Sequence, residues 1–114
     1  MAVSDYPCPC CGYLVFDEPP GSYAICPICF WEDDAGQLAY PDGGGANAVS
    51  LRMAQRHYRE WGACEARFVH LVRVPLAADK QAPGWHPLDS PPPAMRGRHA
   101  DWPSALWPLY YWLG

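Results

Sequence analysis

The first 49 residues contain no lysine and no arginine. Nucleic-acid affinity comes largely from basic side chains neutralising phosphates, so the N-terminal part is a poor candidate for that role. Nor does any apolar run reach the roughly 18–20 residues that cross a bilayer. Met1-Ala2-Val3-Ser4-Asp5 shows no charged-then-apolar leader, so a cytoplasmic location is expected. In a reducing cytosol, paired Cys-x-x-Cys spacings point to metal rather than to disulfides. Gly43-Gly44-Gly45 is not followed by Gly-Lys-Ser/Thr, which excludes a phosphate-binding loop and leaves a flexible connector. His57, His70, His86 and His99 have no carboxylate or cysteine at a useful spacing, and no nucleophile set can be assembled from residue order. The expectation is a protein that is not an enzyme.

Acidic residues and cysteines are plentiful instead. Seven carboxylates give residues 1–49 a charge of −7, while residues 50–114 carry +3. Half of the 114 residues are apolar, but 14 prolines and 10 glycines cut the chain into short pieces. A large continuous core is therefore not expected, and something besides hydrophobic burial must fix part of the fold.

That something is expected at Cys8-x2-Cys11 and Cys26-x2-Cys29, fourteen residues apart. Each short turn lets two sulfurs reach one ion, and two turns supply a closed tetrahedral site of four thiolates. Pro9 and Pro27 tighten the turns. Gly12 follows Cys11 where the backbone favours positive φ, and Phe30 occupies that place less comfortably after Cys29. Four thiolates suit zinc or iron; with no electron-transfer context, one structural Zn2+ is expected. Cys10 is either a redox-sensitive thiol beside the cluster or a spectator. Cys64 reads as a small core residue.

The pattern predicts a small α+β fold. A zinc-ribbon-like module spans 1–36, with a hairpin joining strands 13–16 and 23–25 between the cysteine pairs. A helical part at 48–74 completes a domain over 1–74. Ser50 caps a helix whose stripe is Leu51, Ala54, Tyr58 and Trp61, ending at Gly62. A second short helix carries Cys64, Phe68, Leu71 and Val72. Residues 75–114 read as a proline-rich, extended, poorly packed linker and a Trp-rich tail. That tail either folds back on the domain, associates with a second copy, or meets a partner or membrane surface.

Cys8-Pro9-Cys10-Cys11-Gly12, Phe16 to Tyr23, and Cys26-Pro27-Ile28-Cys29-Phe30-Trp31-Glu32-Asp33-Asp34 resemble the bacterial cysteine-rich CPCC family. Gly45-Ala46-Asn47, Ser50-Leu51 and Gly62-Ala63-Cys64 fit it too, so the resemblance spans about residues 6–75. It implies a small zinc-ribbon-like protein without an established molecular function, and it supplies no catalytic residues.

Three functions compete. Trp31, Glu32, Asp33 and Asp34 could form an acidic, aromatic docking face for a basic protein partner; equally, they could be a turn in which Trp31 covers the metal site. Arg52, Arg56, Arg59, Arg67 and Arg73 could contact nucleic-acid phosphates, although the −7 module opposes this. Cys10 could make the site a thiol redox sensor. The first reading, a non-enzymatic interaction or regulatory module, is preferred.

Overall fold

The computed structural model describes residues 6–90 and 110–113. The Pro91-Pro92-Pro93 run and the tail up to Leu109, including Trp102 and Trp107, lie outside the described residues.

Strand β1 (Tyr6–Pro7) pairs antiparallel with β2 (Leu14–Phe16), with a register shift between Tyr6 and Pro7. A single bridge joins Ile25 to Glu32. The expected hairpin between the cysteine pairs is therefore replaced by two smaller hairpins, each wrapped around its own Cys-x-x-Cys turn. Residues 13–16 pair backwards onto 6–7, and residue 25 pairs forwards onto 32.

Helix α1 (Ala35–Ala39) has too short a pattern to be read from the sequence. Asp34 caps it, accepting from the Gln37 amide at 3.1 Å, and also accepts from the Ala46 amide at 2.8 Å. Buried Gln37 donates to the carbonyls of Gly43 and Val49 and accepts from Asn47. The glycine loop expected as a free connector is thus pinned to α1. A Cβ at Gly45 would sit 2.7 Å from the Gln37 Cγ, so only glycine fits.

Helix α2 (Leu51–Trp61) follows its sequence signals. The Ser50 hydroxyl accepts from the Met53 amide, and Gly62 ends the helix at φ +79°. Its buried face is Leu51, Ala54 and Gln55, with Tyr58 half-buried; Trp61 is exposed and stacks on His57. The second expected helix shrinks to one 3-10 turn, Ala66–Phe68.

Residues 80–88, expected to pack poorly, dock on the first knuckle. Leu14 donates its amide to the Lys80 carbonyl at 2.8 Å, and Ala82 donates to Gly12 at 2.7 Å. At the tail tip, Tyr110 and Trp112 stack at 4.7 Å and join the core, so this part folds back. No helix among the described residues is long and apolar enough to cross a membrane.

Candidate metal centre

The two cysteine turns are built alike. Cys8 donates its amide to Tyr13 and accepts through its carbonyl from Gly12; Cys26 does the same with Trp31 and Phe30. In both, the residue after the second cysteine is left-handed, Gly12 at φ +83° and Phe30 at φ +72°. Phenylalanine bears the strain of that position; its ring lies 4.4 Å from that of Phe68, and this contact offsets part of the cost.

These twin turns point four sulfurs inward. The Sγ atoms of Cys8, Cys11, Cys26 and Cys29 all lie within 4.8 Å of one another and are fully buried. Cys8 and Cys29 are 3.5 Å apart, and Cys11 and Cys26 are 3.7 Å apart. Tetrahedral zinc–thiolate bonds of about 2.3 Å place sulfurs about 3.8 Å apart, so the cluster fits one ion. All six cysteines are free thiols.

Burial dominates the electrostatics of the four thiols. Burial raises the thiols of Cys8, Cys11 and Cys29. Burial also opposes ionisation of Cys26, but hydrogen bonds from Cys11, Cys29 and Cys8, with the Cys29 amide, outweigh it and hold this thiol well below its ordinary value. The Ile28 and Cys29 amides reach the Cys26 sulfur at 3.3 and 3.4 Å. A dry pocket tolerates one anion with such support; four need a dication among them.

The surroundings hold the turns in place. Pro9 accepts from both Gln55 Nε2 and the Trp85 indole, and Cys11 accepts from Gln81 Nε2. On the second turn, Cys29 accepts from the Cys64 amide. A Cβ on Gly12 would sit 2.7 Å from Trp85 Cε3, so glycine there serves close approach as well as φ. Gln55, Gln81 and Trp85 were missed by sequence reasoning. Only Gly12 hinted at them, since a glycine marks close approach without naming the neighbour.

The expected docking face is not presented. Trp31 is fully buried, and Asp33 is buried and accepts from the Ser22 hydroxyl at 2.6 Å. Asp34 is spent on capping α1. Only Glu32 keeps a half-exposed carboxylate, because alternation of the chain past Cys29 turns its neighbours inward. The arginines offered to phosphates are largely engaged: Arg52 pairs with Asp42 and Asp89, Arg56 with Asp89, Arg67 with Glu65, and Arg73 with Asp79. These guanidinium groups hold the carboxyls of Asp79 and Asp89 down at about 2. Arg59 alone of the five has no such pair among the described residues. Cys10 is fully buried, as is Cys64, where burial pushes the thiol up.

No curated protein matches the chain. The family model described as "Cysteine-rich CPCC" matches residues 6–79, from β1 through both cysteine turns and α2 to the edge of the docked segment. That span is well over half of the sequence, and the chain belongs to the cysteine-rich CPCC family.

Proposed function

We propose that Cys8, Cys11, Cys26 and Cys29 hold one structural Zn2+ ion, and that the ion organises a non-enzymatic protein-interaction or regulatory module. The carrying observation is the convergence of four buried sulfurs within 4.8 Å of one another. Four protein donors complete such a shell and leave no position for water or substrate, which is the arrangement of structural rather than catalytic sites. Metal binding of this kind contributes on the order of 10 kcal/mol or more to folding. The engagement of Arg52, Arg56, Arg67 and Arg73 by carboxylates weighs against the nucleic-acid reading, and the burial of Cys10 weighs against an accessible redox sensor.

Native mass spectrometry of the purified protein tests the metal reading directly. One zinc per chain is expected, with loss of the ordered amide spectrum of residues 6–36 on strong chelation. A folded metal-free protein, or cysteines joined to each other in disulfides, sinks it.

A further inference from the structure

The two cysteine turns are twins, but their flanks differ. The outer edge of the first turn carries an extended segment of the chain itself: Lys80 and Ala82 pair with Leu14 and Gly12, and the Trp85 indole lies against Gly12. The corresponding edge of the second turn receives no such strand among the described residues. Asn47 takes its place with one side chain, accepting from the Glu32 amide and donating to the Glu32 carbonyl, both at 2.9 Å. A groove of about 110 Å³ remains beside it. Its apolar lining includes Ile25, Phe30 and Phe68, and its polar rim is Glu32, Asn47, Glu65 and Arg67.

Charge narrows what fits there. Arg67 is already committed to Glu65 and lies over the Phe68 ring. The Glu32 carboxylate has no cationic partner among the described residues, and residues 1–49 offer no lysine or arginine to supply one. Ile25 is 42 % exposed, unusual for an isoleucine beside a buried cluster. The volume suits a single apolar side chain and not a small-molecule substrate.

We infer that this groove is a docking site for an extended segment of a partner protein, seating one aromatic or aliphatic side chain over Phe30 and Phe68 and placing an adjacent lysine or arginine on Glu32. The first turn shows an extended segment and an indole laid on the matching edge; on the second turn Asn47 already holds the Glu32 backbone groups, so the partner is held by its side chains. The carboxylate supplies the charge complementarity. The inference rests on the interaction-module reading and names its partner chemistry.

The test uses the full zinc-loaded chain and two short synthetic peptides, Lys-Trp-Lys and Glu-Trp-Glu, read by amide chemical shifts. The basic peptide is expected to move the resonances of Ile25, Phe30, Glu32 and Phe68, with an effect that falls with salt, and the acidic peptide to leave them unmoved. E32Q should weaken binding roughly threefold, the scale of one rim ion pair, and F68A roughly tenfold, the scale of a contact anchor. Equal response to both peptides, shifts mapping elsewhere, or no response at millimolar peptide overturns the inference. So does a groove already filled by the chain's own residues 91–109, seen as contacts to the Phe68 ring in the free protein. The zinc content of each variant is measured alongside. A folded parent chain without zinc counts against the metal reading, whereas a zinc-loaded parent chain that ignores the basic peptide, or variants that keep their zinc and bind it unchanged, count against the groove alone.

Discussion

Gly12 meets two demands that no other residue satisfies together. Its φ of +83° disfavours any Cβ, and the Trp85 indole occupies the space a Cβ would need. Gly12→Ala is expected to cost about 2–4 kcal/mol, combining backbone strain with overpacking. Denaturant unfolding of the zinc-loaded protein measures it, and a loss under about 1 kcal/mol would mean that the indole moves aside. Asp33 makes the opposite kind of case. Burial raises its carboxyl, outweighing the hydrogen bonds from Ser22 that favour the anion. A carboxyl whose folded value is raised helps the fold below its unfolded value near 4 and hurts it once ionised. Asp33→Asn keeps an acceptor for Ser22, so its stability advantage over the parent should grow as pH rises from about 4 and then level off. The acid sensitivity of the metal site is common to both proteins and cancels in the difference. A difference that does not vary with pH would refute the assignment.

At the scale of elements, short connections are held by side chains that act as backbone. Asp34 caps α1 and also pins Ala46; Asn47 mimics a strand against Glu32. Asp34→Ala removes the bonds from Gln37 and Ala46 at once, and a loss of about 2 kcal/mol is expected. Amide exchange should speed up at Gln37 and Ala46 together; faster exchange at Gln37 alone would show that the loop is held by something else. The elements legible in the sequence were those that carry their own signals. Helix α2 has Ser50, Gly62 and a helical stripe, whereas α1 spans barely more than one turn and exists because Asp34, Gln37 and the loop to Val49 close on each other. The Trp61 misplacement has a similar cause. Periodicity alone extends the stripe to residue 61, but the partner surface stops at Tyr58, and Gln55 takes the buried place because Pro9, Leu88 and Tyr111 use all of its polar atoms.

At the scale of the whole molecule, the four-cysteine cluster and the C-terminal segments are one structure. Gln55 links the first turn to Leu88 and Tyr111, and Tyr111 also donates to the His86 carbonyl. Removal of the ion should therefore expose the amides of Cys8, Gly12 and Ala82 at a single chelator concentration, because the Ala82 amide donates to the Gly12 carbonyl. Two separate transitions would show that residues 80–88 hold on independently. The four-cysteine cluster was readable because paired Cys-x-x-Cys spacing is the pattern that metal chemistry asks for. The docking of residues 80–88 was hidden because proline-rich composition describes how a segment is shaped, not what it rests on.

The family match ends at residue 79, one residue before the segment that shelters the first turn begins. A protein shortened to that boundary would keep its four sulfurs and its helix yet lose its own cover. The Leu14 amide, the Gly12 carbonyl and a slot shaped to an indole would all face water. Such a fragment would load metal and still be sticky, and the natural plug for it is the missing piece, supplied in trans as a peptide of residues 80–90.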